Sequence, residues 1–333
     1  MGDITELNEA ESQRYLGDIV QSNGKNDENI RKRKEKGFII INQIKKILEN
    51  GFFGKHYFQA AVILRESLFL NSVLLNSGVW TNVTNKEIHQ LSTLDNTLVR
   101  NIFECPSFTS VPMMFLDLGI VPLKFFIISR RIMFLFYLLN QDTNTVVYKC
   151  FVEQSKHELP GDWILQARND LEMLKINYTF EEIKSTSKLA FQKYVKNKIK
   201  MYAFQYLQEE RRKQTKCRYV DYNKFEMQDY LKSDLLTTYQ KKLCFQLRTS
   251  SYPVYKNIPY LKEDTLCPCC LLFEDTMSHQ LVCSTIHSNT NKICNRIVSI
   301  EDVFSRNIEN QAKLTSVFEQ AIKRRKIILN NIS

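Results

Sequence analysis

Pro122-Leu123-Lys124-Phe125-Phe126-Ile127-Ile128-Ser129-Arg130-Arg131-Ile132-Met133-Phe134-Leu135-Phe136-Tyr137-Leu138-Leu139-Asn140 is the longest apolar run of the chain. It reads as a helix opening at Pro122, whose fixed φ suits a first turn, and closing near Asn140. Apolar residues occupy most of its circumference, so the spacing predicts a helix buried at the centre of a bundle. Lys124, Ser129, Arg130 and Arg131 interrupt it. Two adjacent arginines at mid-span argue against a membrane crossing.

Outward from this helix the chain continues to read as helical. Only 9 Gly and 7 Pro punctuate 333 residues, and 44% of residues are hydrophobic, enough for a sizeable core and a mainly α class. Towards the N-terminus, Thr84-Asn85-Lys86-Glu87 is a capping box that opens a helix. Ile88, Leu91, Leu94, Leu98, Ile102 and Phe103 fall on one face of that helix, and Cys105-Pro106 ends it. Earlier helices are expected over Asn26–Leu48 and roughly Lys55–Leu75, separated by Gly51 and Gly54. Residues 1–25 read as a strand followed by a Ser22-Asn23-Gly24 turn. Pro112 and Gly119 bracket a short helix just before the central one.

Towards the C-terminus, helices are expected over Thr145–Lys156 and Asp162–Leu174. Thr179-Phe180-Glu181-Glu182 is a second capping box, opening helix to about Lys216 with a break near Ser187. Shorter helices are expected near 223–232 and 238–248, a loop over 251–264, and a last helix from Asn307 to Leu329. The main boundary is placed at Pro160-Gly161. The expected parts are therefore a helical bundle over 26–158, a basic helical region over 162–250, a cysteine–histidine module over 264–290 and a final helix over 307–331.

The chemistry is concentrated in that module. Cys267-Pro268-Cys269-Cys270 is followed by eight residues, His279, three residues and Cys283, a C-x2-C-x8-H-x3-C frame. Two cysteines three apart reach one metal from a tight turn. A His and a Cys four apart reach it from one helical face. Three thiolates and an imidazole form a closed tetrahedral set suited to one zinc ion. Cys269 competes with Cys270 for its place in the set, and His287 is within reach in sequence.

The chain holds nine cysteines, five of them scattered, which fits a reducing intracellular compartment (nucleus or cytoplasm) with one metal site, not a disulfide framework. Met1–Ala10 is polar and acidic, so no secretory leader is expected.

Forty-six basic against 36 acidic residues give a net charge of +10, which draws polyanions. Arg31, Lys32, Arg33 and Lys34 form one basic cluster, early in the first helix. Residues 184–218 carry eleven Lys or Arg against two Glu. On that helix Phe191, Val195, Ile199, Tyr202 and Tyr206 form an apolar stripe, and Lys193, Lys196, Lys200 and Arg211 fall on another face. Such a ridge can straddle phosphates without reading bases. Lys323-Arg324-Arg325-Lys326 is a weaker candidate, since cations near a helix C-terminus already complement its dipole. Trp80, Trp163 and most Phe and Tyr are expected in the core. No Asp-Asp pair, phosphate-binding glycine loop or nucleophile elbow occurs anywhere.

Ser12-Gln13-Arg14-Tyr15-Leu16-Gly17-Asp18-Ile19-Val20, Ser22-Asn23-Gly24, then Ile30, Arg33 and Gly37, resemble the segment that follows the palm motifs of non-LTR retrotransposon reverse transcriptases. The resemblance continues through Arg65-Glu66-Ser67-Leu68, Trp80, Leu94-Asp95, Arg100, Cys105-Pro106 and Arg130-Arg131. It ends at Leu247-Arg248-Thr249 and the Cys-His cluster, and so spans almost the whole chain.

The resemblance implies a primer-grip strand, a thumb-like and connecting helical bundle, and a C-terminal zinc knuckle touching unpaired bases. The partner it implies is RNA, DNA or an RNA–DNA hybrid, together with an upstream polymerase domain. The family's paired catalytic aspartates are absent, so no polymerase activity is expected from this chain alone. The rival expectation is a helical scaffold that docks another protein.

Overall fold

The computed structural model describes residues 12–15, 18–81, 83–157, 161–214, 220, 222–252, 254–257, 265–287, 300–304 and 307–332. Among the described residues the fold is mainly helical with one short antiparallel hairpin of β1 (Ser12–Tyr15) and β2 (Asp18–Gln21). The elements that follow are α1 (Asp27–Asn50), α2 (Tyr57–Leu64), a π-helical turn (Arg65–Leu70) and α3 (Asn71–Val73). Next come α4 (Asn85–Phe103), α5 (Val111–Leu118), α6 (Leu123–Leu139), α7 (Val146–Lys156) and α8 (Trp163–Met173). Then follow α9 (Phe180–Ser185), α10 (Lys188–Arg212), α11 (Asp229–Lys232) and α12 (Thr238–Arg248). The chain ends in α13 (Met277–Val282), α14 (Ser284–His287) and α15 (Ile308–Ile332). No single helix among the described residues is long and apolar enough to cross a membrane.

The chain divides into two compact units. The first comprises residues 1–47, 63–98 and 121–206, and the second residues 48–62, 99–120 and 207–333. This corrects the boundary expected at Pro160-Gly161. Gly161 only turns the chain between α7 and α8, both in the first unit. The stripe of α10 packs back onto α6: Phe191 stacks on Phe136 with centroids 5.2 Å apart, and Tyr202 and Tyr206 meet Phe125 edge-on. Burying that stripe joins the two halves that the sequence pattern separates.

Within the first unit α6 is central, with Phe125, Ile127, Ile132, Leu135 and Phe136 buried. Its arginines are consumed internally. Arg131 pairs with Asp170 of α8 at 2.7 Å, and Arg130 donates to the Leu74 carbonyl and to Asn71 Oδ1. Burial pushes the Asp170 carboxyl up to about 6, against the pull of Arg131.

Arg65 and Asp95 are buried together, with Nε to Oδ1 at 2.7 Å and Nη2 to Oδ2 at 2.6 Å. The same Asp95 receives the Leu123 backbone N–H at the start of α6. Trp163 donates from Nε1 to the Gly78 carbonyl at 2.7 Å. A Cβ on Gly78 would sit 2.8 Å from the Arg130 carbonyl oxygen, so only glycine admits this approach.

In the second unit Asp117 of α5 is the buried hub. Tyr222 and Tyr230 donate to its two oxygens, and Arg248 of α12 reaches the same carboxylate at 3.3 and 3.4 Å. The Asp117 carbonyl accepts from Gln228 N–H, and the left-handed Gly119 lies against residues 226 and 227. These contacts hold residues 222–228 outside any helix, so the helix expected over 223–232 shortens to α11. Phe103 stacks on Phe245 at 3.8 Å beside Phe58.

Candidate metal centre and basic faces

Leu266 and Glu274 form an antiparallel bridge. Between them Cys267 N–H bonds the Phe273 carbonyl at 2.7 Å, and Leu271 N–H bonds the Cys267 carbonyl at 2.8 Å. This tight turn sets Cys267 and Cys270 side by side. Leu271 adopts φ +55 to close it, a left-handed conformation unusual for a branched apolar residue. Thr276 caps α13 through its side chain, which accepts from His279 N–H at 2.9 Å. The helix then carries His279, and Cys283 follows directly after it as an extended C-cap between α13 and α14.

One ligand atom each from Cys267, Cys270, His279 and Cys283 falls within 4.8 Å of every other, and this group could hold one metal ion. Cys270 Sγ and His279 Nε2 are 3.3 Å apart. Of the two candidates for one place in the set, the structure brings Cys270 and not Cys269 into the group. His287 is turned away, its Nε2 donating to the Gln280 carbonyl at 2.9 Å. Cys267 and Cys283 are buried and the other two half-buried, so the centre opens to solvent on one side only.

Burial pushes the Cys283 and Cys269 thiols up to about 11. Burial acts in the same direction on Cys270, but the backbone N–H groups of Leu272 and Phe273 and the neighbouring thiols outweigh it and hold its thiol below the ordinary value. A metal entering this group therefore meets a mixed set, one thiol easier to deprotonate than usual and one harder.

The apolar tip of the module, Leu271, Leu272 and Phe273, is exposed, as is Val282. No lysine or arginine occurs between residues 265 and 287.

The two basic clusters divide into buried and exposed members. Arg33 is 3% exposed and pairs with Asp18 at 2.5 Å while bonding the Ser72 carbonyl. Arg31 and Lys32 are exposed and lie against Glu28 and Glu35, and Lys34 is half-buried. On α10, Lys193, Lys196 and Lys200 are exposed, and none is paired with an acid among the described residues. Arg211 lies on the same side of the helix by spacing but is 2% exposed, so it is covered and does not join their exposed row. Arg33 and Arg211 are thus corrected from surface cations to interior ones. Helical spacing assigns a face, but it does not say whether a neighbouring element covers that face.

Residues that sequence reasoning passed over include Asp275 and Arg325, joined by two 2.8 Å bonds under the metal group. The sequence signal was present in the Lys323-Arg324-Arg325-Lys326 run, read there as helix-end charge. No protein-family model, no curated protein and no solved structure matches this chain.

Proposed function

We propose that this chain grips the phosphate backbone of RNA, DNA or an RNA–DNA hybrid, as a non-catalytic part of a polymerase of the non-LTR reverse-transcriptase type. The observation that carries the proposal is the lysine face of α10. Lys193, Lys196 and Lys200 stand exposed on one side of a rigid helix, and no acidic residue occurs from 183 to 208. At about 1.5 Å rise per residue the outer two are about 10 Å apart, a span that meets successive phosphates. Lysines fixed this way release counterions and bind without base preference.

The metal group takes zinc in this reading, because three thiolates and one imidazole leave no open coordination position. With three thiolates bound, a dication leaves the centre at net −1, and its module has no cation of its own. Phosphate contact is therefore assigned to α10, with the knuckle as a structural element. The exposed Leu271–Phe273 tip favours the second reading, a module that docks another protein by apolar contact.

The experiment is a binding titration with a fluorescent single strand and a duplex between 50 and 200 mM salt. Three phosphate contacts predict a log–log slope with a magnitude of about 2 to 3. A K193Q/K196Q/K200Q variant should lose most of that slope while keeping its helical circular dichroism. An unchanged slope in the variant, or no binding at low salt, would discard the reading. Zinc measured by elemental analysis should be one per chain in wild type and absent in a Cys267→Ser, Cys283→Ser double variant. Equal zinc in both would end the metal assignment.

A further inference from the structure

The knuckle and the last helix are tied by more than surface contact. Asp275 is fully buried, and both of its oxygens are doubly satisfied. Arg325 of α15 donates to Oδ1 and Oδ2 at 2.8 Å each, Gln280 Nε2 reaches Oδ1 at 3.1 Å, and Tyr255 N–H reaches Oδ2 at 2.8 Å. Asp275 directly precedes Thr276, the cap of the helix that carries His279. At the other end of the ligand set, Arg324 donates to the Ile286 carbonyl at 2.8 Å, three residues past Cys283.

Ala321 of α15 packs in one small core with Cys267, Cys283 and Ile286, against which Cys269 and Cys270 also lie. Metal ligands therefore make up half of that core. A core this small does not hold its shape on apolar burial alone, and modules of this kind draw their folding free energy from the ion.

We infer that metal binding and the seating of α15 are two sides of one equilibrium, with Arg325 a positioning residue for the metal centre. The inference rests on the metal reading above. Metal in the group fixes the turn and α13, which fixes Asp275 and the Ile286 carbonyl, which seat Arg325 and Arg324. Loss of the metal dissolves that small core and frees the second half of α15. The linkage is reciprocal: whatever unseats α15 must weaken the metal by the same factor. The Lys323-Arg324-Arg325-Lys326 run is then a latch with two inward arginines, not a phosphate-binding patch.

The test uses the full chain. Zinc affinity is measured by competition with a chromophoric chelator for wild type, Arg325→Gln, Arg325→Lys and Lys326→Gln, the last altering an exposed neighbour. Outer-shell loss predicts a tenfold or greater drop for Arg325→Gln, partial recovery in Arg325→Lys and less than twofold change in Lys326→Gln. Cobalt(II) substitution reads the same coupling spectroscopically: Arg325→Gln should show the wild-type thiolate bands but need more cobalt to saturate them. In parallel, hydrogen exchange of wild type with and without chelator should show lost protection in α15 from about residue 318 onward, with α10 unchanged. Wild-type affinity in Arg325→Gln, or a metal-free α15 as protected as before, overturns the coupling and leaves the metal centre standing. A wild-type chain that takes up no zinc overturns both.

Discussion

Asp95 gathers a two-pronged arginine and a backbone N–H in the interior, and Asp117 gathers two tyrosines and an arginine. A buried charge left without its partner is costly, so Asp95→Ala should destabilise the chain by about 3–5 kcal/mol in chemical denaturation. A loss below about 1 kcal/mol would mean that water reaches Arg65. Asp170 makes a pH prediction. Its folded-state value of about 6 lies above the ordinary 3.8, so the folded chain keeps this proton to higher pH than the unfolded one. The resulting penalty is absent below about pH 4, grows as pH rises through 6 and is constant above. Between pH 4 and 6 the wild-type denaturation midpoint should therefore fall relative to that of Asp170→Asn and run parallel to it above, and curves parallel throughout would refute the assignment.

At this scale the candidate metal group was legible in Cys267, His279 and Cys283, because their spacing encodes a turn and a helix, while the choice of Cys270 over Cys269 needed the fold of the turn. Arg33 and Arg211 were not. A cation next to other cations in sequence looks exposed, and only the distant Asp18 that meets Arg33 shows otherwise. Many residues behind the family resemblance, among them Arg33, Arg65, Asp95, Trp80 and Arg131, sit in buried polar contacts. They speak to how the chain holds together.

Among the elements, helix starts were the most readable feature, because a capping box is local chemistry. Both Thr84–Glu87 and Thr179–Glu182 close reciprocally, with backbone-to-carboxylate bonds of 2.7 Å. Thr179→Ala should cost about 1 kcal/mol, read in thermal or urea unfolding. The segment before α11 was unreadable for the opposite reason, since what bends it is a carboxylate and a glycine about a hundred residues upstream. Gly119 has φ +65, and a Cβ there would lie 2.3 Å from the Glu226 carbonyl carbon. Gly119→Ala should therefore destabilise by well over 1 kcal/mol. Wild-type stability in that variant would show that residues 226 and 227 yield easily.

For the molecule as a whole, helical class and chain order could be read from periodicity, but the grouping into units could not. Residues 48–62 and 99–120 belong with the C-terminal third, and nothing in their composition marks them. Such long-range grouping depends on which apolar faces find each other, and any face of suitable width would serve in a sequence pattern. At this scale the functional reading also has its plainest check. Primer extension with magnesium should give no product from this chain, since no paired aspartates are present to hold two ions. Template-directed synthesis by the purified chain would overturn the non-catalytic reading.

The π-helical turn over Arg65–Leu70 has a consequence for how such a chain tolerates change in length. Its amides reach back five residues where an ordinary turn reaches back four, so the winding holds one surplus residue. Deleting a single codon there would let the backbone relax into regular winding without opening a gap. Because the wide turn absorbs that residue, the flanks keep their relative orientation after the deletion, and Arg65 still faces Asp95. Shortening by one residue at 66–68 should thus preserve both helical content and the ion pair, whereas one residue removed from the regular winding of α4 would turn its ends by about 100° and cost far more.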